Sequence, residues 1–179
     1  MRAARRQARL APMSVPYRAL SFEHKIVPRA ALATRLQDLA RPVVLTNGVF
    51  DLLHRGHVTY LSRARALGAS LVVAVNSDAS VRGLGKGTDR PINGQEDRAA
   101  ILAALECVDL VTIFEETVPL PVLEIVRPEI YVKGGDYDVQ ATPEARLAMT
   151  WGARAVAIAF EYDRSTTDLL RRVRAAAER

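Results

Sequence analysis

The stretch VVLTNGVFDLLHRGH occupies residues 43–57. Its first four residues are apolar or β-branched and read as a buried strand. Asn47-Gly48 turns the chain, and a helix opens near Gly56 with His57, Tyr60, Leu61 and Ala64 on one side. A strand, a turn and a helix N-terminus in succession are the layout of a phosphate site. The first N–H groups of a helix lack intrahelical acceptors and favour an anion. Gly56 lets the backbone come close, and His54 and His57 are placed to donate to phosphate oxygens. Two histidines at this spacing also suit zinc, but no third ligand lies on the same element.

Outward from this stretch, strands and helices alternate. Residues 28–40 read as a helix with Pro28 at its start, Leu32, Leu36 and Leu39 at helical spacing, and Pro42 as its stop. Helix 56–67 ends at Gly68, strand 71–75 follows, and a polar, Gly-rich loop runs over 83–91. Asn93 and Glu96 have the spacing of a capping box, so a helix begins there and carries Ala99, Ile101, Leu102 and Leu105 inward. Strand 110–114, a short helix 121–126, strand 129–132, a helix from Thr142-Pro143-Glu144 to Gly152, strand 155–159 and a last helix opened by Ser165-Thr166-Thr167 complete the chain. Short apolar strands between helices predict an α/β fold: a Rossmann-like, doubly wound parallel sheet of about five strands with helices on both faces. One domain over 25–179 is expected, behind a basic, disordered tail over 1–24.

Ligands bind beyond the carboxyl ends of the strands in such sheets. The polar clusters fall there: Asn47-Gly48 with His54 and His57, Asn76-Ser77-Asp78, and Lys133-Gly134-Gly135-Asp136, with Arg90 and Ser165-Thr166-Thr167 in following loops. GLGKGT around Lys86 matches neither phosphate-loop glycine pattern, and reads as a mobile loop carrying Lys86 and Arg90 over the phosphates. Asp38, Asp109 and most glutamates read as solvated, Cys107 and Trp151 as packing residues, and His24 as surface.

Composition narrows the classes. Of the 179 residues, 49% are hydrophobic and 25% charged, an ordinary globular balance. No apolar run reaches the roughly 20 residues of a membrane span. The net charge of +5 resides in Arg2, Arg5, Arg6, Arg9 and Arg18, ahead of the first acidic residue, Glu23. A basic stripe across the fold is therefore absent, which argues against nucleic acid. The tail lacks a secretory apolar core. A single cysteine suits a reducing cytoplasm.

The run TNGVFDLLHRGH, with His54-Arg55-Gly56-His57 as an HxGH signature, resembles the cytidylyltransferase-like nucleotidyltransferases. VAVNSD (73–78), RPIN (90–93), Glu96-Asp97-Arg98, VKGGDY (132–137) and STT (165–167) make it similar, within them, to the heptose 1-phosphate adenylyltransferases. That resemblance implies ATP and a sugar 1-phosphate as substrates, ADP-heptose and pyrophosphate as products, Mg²⁺ carried mainly by the ATP phosphates, a homodimer, and a stand-alone form without the sugar kinase often fused to it. It implies catalytic roles for His54, His57 and Arg90. It implies nucleotide binding by Thr46, Asn47, Gly48, Phe50, Gly56, His57, Lys133, Gly135, Asp136, Ser165, Thr166 and Thr167, and acceptor binding by Asp51, Asn76 and Asp78. Tyr162-Asp163-Arg164 departs from the family, which often has a glycine there. No general base is evident, and a phosphate monoester nucleophile needs none. Cytidylyl transfer to glycerol 3-phosphate or ethanolamine phosphate is the alternative within the class. A nucleotide-binding module without turnover is the alternative outside it.

Overall fold

A computed structural model describes residues 22–85, 90–135, 138–162 and 165–177. Its strands are β1 (Val43–Gly48), β2 (Ser70–Asn76), β3 (Leu110–Phe114), β4 (Ile130–Gly134) and β5 (Arg154–Ile158). They form one sheet in the order β3-β2-β1-β4-β5, with every neighbouring pair parallel. β1 is the central strand, and Val44 pairs with Leu71 on one side and Ile130 on the other. The expected doubly wound sheet is the observed one.

The helices are α1 (Arg29–Arg35), α2 (Arg55–Arg65), α3 (Asp78–Gly83), α4 (Gln95–Ala103), α5 (Leu120–Val126), α6 (Pro143–Met149) and α7 (Thr166–Ala177). Successive strand residues point to opposite faces, so the apolar runs supply two cores. Val43, Leu45, Val72, Ala74 and Tyr131 pack with Leu32 of α1, Leu123 of α5 and Ala145 of α6. Val44, Leu71, Val73, Val75 and Val132 pack with Leu61 of α2 and Leu102 of α4. The outer edge of β3 is partly covered by the entering chain, where Val27 N–H donates to Val111 O at 2.8 Å.

Five local expectations are corrected. The helix expected over 28–40 ends at Arg35 and continues as a short 3₁₀ turn, Leu36–Asp38, because Leu39 becomes extended to lead into Pro42 and β1. Asn76-Ser77-Asp78 is not followed by loop alone. Ser77 caps α3 by accepting from Ser80 N–H at 3.1 Å. The cap of α4 is Gly94, not Asn93, whose side chain is used elsewhere. Ile101 lies on the wet side of α4 at 41% exposure, while Arg98 faces inward with Ala99 and Leu102. Asp109 is likewise no merely solvated residue: its Oδ2 accepts from Leu71 N–H at 2.7 Å and from Arg65 Nε at 2.9 Å. No helix among the described residues is long and apolar enough to cross a membrane.

Candidate active site

The segment between β1 and α2 shapes the site. Phe50 takes a left-handed backbone, φ 49°, which an L-residue adopts at a cost and which turns its ring back. The ring lies on Gly48, where an added Cβ would meet Phe50 Cε2 at 3.0 Å, and its edge meets His57 at a centroid distance of 5.4 Å. His54 is the N-cap of α2 with an extended backbone, and no side chain caps that terminus. Its first N–H groups therefore remain for a ligand. The rings of His54 and His57 stack at 3.8 Å and 21°. Gly56 leaves room for this stack, since a Cβ there would lie 3.0 Å from His54 Nδ1 and push on the ring.

Both imidazoles favour the neutral form. Burial pushes His57 down to about 4, the neighbouring His54 adds to the shift, and the Leu52 carbonyl beside the ring, outside good hydrogen-bond geometry, opposes it. Burial also lowers His54.

Two clefts open over these residues. The larger, about 490 Å³, is lined by His54, His57, Arg90, Phe160 and Ser165-Thr166-Thr167. The smaller, about 240 Å³, is lined by Asn47, Gly48, Phe50, His57, Lys133, Gly134 and Phe160, among others. Ser165 caps α7 reciprocally: its hydroxyl donates to Asp168 Oδ2 at 2.8 Å and accepts from Asp168 N–H at 3.1 Å. The start of α7 thus faces the start of α2 across one cleft.

The structure brings the expected histidines, Arg90 and the Ser-Thr-Thr turn together. It turns others inward. Asp51, expected at the acceptor, has a fully buried carboxylate: Oδ1 accepts from Ile92 N–H at 2.8 Å and Asn93 N–H at 2.9 Å, and Oδ2 pairs with Arg90 Nε at 2.7 Å. Its carboxylate is buried against the protein, and it holds the Arg90 segment in place. Asn76 is 4% exposed and donates to Ser80 Oγ at 2.9 Å. Thr46 is buried at 2.5 Å from the Tyr60 hydroxyl, which donates to Val132 O, so its side chain ties β1 to α2 and β4. Asp78 keeps partial exposure while accepting from Arg98 at 2.7 Å. Lys133 ion-pairs with Glu144 at 3.3 Å. Gly135 follows β4 with φ 137°. Lys86, Asp136 and residues 1–21 lie outside the described residues.

With this geometry in hand, the comparisons place the chain. Residues 45–172 match the family described as cytidylyltransferase-like. The chain belongs to this family. It is 59% identical over 155 residues to a D-beta-D-heptose 1-phosphate adenylyltransferase of Bordetella bronchiseptica, an overlap of 86% of this chain and 96% of that one. A bifunctional protein HldE of Geobacter sulfurreducens is 50% identical over 131 residues, covering 73% of this chain and 26% of the relative. A crystal structure of a lipopolysaccharide core biosynthesis protein from Thermoplasma volcanium superposes with a TM-score of 0.55 at 32% identity, covering 68% of this chain and 98% of that one.

Two residues of this cytidylyltransferase-like site were given no role from the sequence. Arg98 belongs to the quoted Glu96-Asp97-Arg98 match, and its buried guanidinium donates to Asn93 O, Val49 O, Asn76 O and Asp78 Oδ1, at 2.7 to 3.0 Å. Phe160 is an exposed aromatic just past β5. The departing Tyr162 is occupied too: the Arg55 guanidinium sits 3.8 Å over its ring, and Arg63 pairs with Glu161 beside it.

Proposed function

We propose that this chain transfers AMP from ATP to D-glycero-β-D-manno-heptose 1-phosphate, giving ADP-heptose and pyrophosphate in the synthesis of the lipopolysaccharide inner core. The observation that carries this reading is 59% identity across 96% of the Bordetella bronchiseptica adenylyltransferase. The site's chemistry agrees with it. A phosphate monoester is mostly dianionic at neutral pH, its second pKa being about 6, so it attacks without a general base. An oxygen of the sugar phosphate attacks the α-phosphorus of ATP. A new P–O bond forms, the bond to the bridging α–β oxygen breaks, and pyrophosphate leaves with the electron pair. No covalent enzyme intermediate is needed.

The protein then has to align the two substrates and neutralise the leaving group. In this reading His54 and His57 donate to ATP phosphate oxygens together with the free N–H groups of α2, whose approach Gly56 permits. Ser165, Thr166 and Thr167 hold the distal phosphates from α7. Arg90, aimed by Asp51, neutralises pyrophosphate with the guanidinium nitrogens that Asp51 leaves unused. Asn47, Gly48 and Phe50 floor the nucleotide, with Lys133, Gly135 and Asp136 near its nucleoside. Asp78 and the backbone around Asn76 face the acceptor, while Asp51, Thr46 and the Asn76 side chain act as positioning groups.

Magnesium enters with the substrate. Among the described residues no three His, Cys, Asp or Glu side chains cluster as a metal cage, so the donor set fits MgATP better than a resident ion. A cytoplasmic setting and a homodimer are part of the same proposal, and light scattering measures the latter. The deciding experiment is a pyrophosphate-release assay crossing ATP and CTP with heptose 1-phosphate, glycerol 3-phosphate and ethanolamine phosphate. Release with ATP and the heptose phosphate alone is expected. Release only with CTP and a non-sugar acceptor would overturn the reading, and nucleotide binding without any release would indicate a non-catalytic module.

A further inference from the structure

Of the large apolar side chains that the described residues expose, Phe160 is the one that lines both clefts. Its ring is 46% exposed although it lies against the body of the protein. One side rests on Gly134 so closely that a Cβ there would fall 2.5 Å from Phe160 Cζ. The Tyr60 ring stands 5.9 Å away, tilted by 55°. Glu161 and Tyr162, which follow it, are held to α2 through Arg63 and Arg55. Supported on one side and exposed on the other, the ring stands at the meeting point of the two clefts and offers them a flat apolar face.

We infer that Phe160 is a stacking platform for the nucleobase of the bound nucleotide. The inference rests on the adenylyl-transfer reading and adds to it the residue that receives the base. Sheet order supplies the direction. β4 and β5 lie on one side of β1, and β2 with β3 on the other. The β2 side carries the ion-paired Asp78 and Arg98, suited to a phosphorylated sugar, with Arg90 between it and the nucleotide phosphates. The β4–β5 side carries Gly134 and Phe160, whose apolar face suits a flat heterocycle. Phe160 precedes the Ser165-Thr166-Thr167 turn by a few residues, so a nucleotide with its phosphates at that turn reaches the ring with its base. Bases stack on aromatic side chains without regard to their hydrogen-bonding edges, so this contact supplies affinity for the base, and base choice falls to groups around the ring.

Binding measurements separate this role from others. ATP and inorganic tripolyphosphate are titrated calorimetrically, in magnesium buffer, into the wild-type full chain, Phe160→Ala and Phe160→Tyr. Phe160→Ala should weaken ATP about 10-fold or more while leaving tripolyphosphate within about 2-fold, and Phe160→Tyr should keep ATP within about 2-fold of wild type. Equal loss of both ligands in Phe160→Ala would mean that the ring only props the phosphate site, and would overturn the inference. Unchanged ATP affinity in that variant would overturn it as well, while leaving adenylyl transfer standing. Wild-type protein that binds tripolyphosphate but not ATP would sink the adenylyl reading and this inference together.

Discussion

His57 is held neutral by burial and by its stacked neighbour, from an ordinary 6.5 down to about 4. A neutral imidazole still donates one N–H, and in the proposed reaction that donation strengthens as charge builds on the leaving pyrophosphate. The acid sensitivity of the fold follows. Below 6.5 the unfolded chain takes up a proton that the native site resists, so stability falls as pH drops from 6.5 toward about 4. The loss amounts to at most about 3 kcal/mol. Urea midpoints between pH 7 and 4.5 should therefore decline more steeply for wild type than for His57→Gln. A parallel decline would assign the acid sensitivity to other groups. At neutral pH, His57→Ala should keep its circular dichroism and urea midpoint but lose roughly 10²-fold in turnover. Normal turnover would remove this side chain from the reaction.

At the scale of elements, the buried Arg98 ties α4 to three places at once: the backbone before Phe50, the end of β2, and the Arg90–Asn93 segment. Lysine has neither the forked geometry nor enough donors for four acceptors. Arg98→Lys should cost about 2–4 kcal/mol in urea denaturation, and lower kcat through the displaced Arg90 segment. The expected helix stop at Gly68 lies beyond the observed one, since α2 ends at Arg65 with Ala66 as its cap, and Gly68 is needed for a different reason. An added Cβ would lie 2.6 Å from Pro42 O, so Gly68→Ala has to move backbone and should destabilise by about 1–3 kcal/mol. These two residues mark how far the sequence was legible. The five strands could be read because continuous apolar runs between turn residues have few other structures open to them. The histidines, Arg90 and the Ser-Thr-Thr turn could be read because each lies at the carboxyl end of a strand or in the loop beyond it. The inward turn of Asp51 could not, because its partners Ile92 and Asn93 come some forty residues later. The roles of Arg98 and Phe160 were opaque for related reasons: the first shows as one position of a family match whose acceptors lie elsewhere in the chain, the second as an ordinary loop aromatic.

For the molecule as a whole, a ligand that binds the native state raises its stability with the logarithm of its excess over Kd. ATP at about 100 times its Kd adds roughly 2.7 kcal/mol, which for a chain of this size moves Tm by about 5–10 °C. Scanning calorimetry with ATP and CTP side by side should give the larger shift with ATP; equal shifts would place base discrimination after binding. The sheet order has one more consequence. In the proposed reading, the groups that meet the acceptor lie on the β2 side of β1 and those that meet the base on the β4–β5 side. The two sides join at the leaving group, where Arg90 stands with His54, His57 and Ser165-Thr166-Thr167 in one cleft. A chimera carrying a relative's segment 76–85, with Asp51 and Arg90 retained, should therefore exchange its sugar phosphate and keep its triphosphate. Specificity in such a scaffold is inherited in halves that meet only at the reacting phosphates.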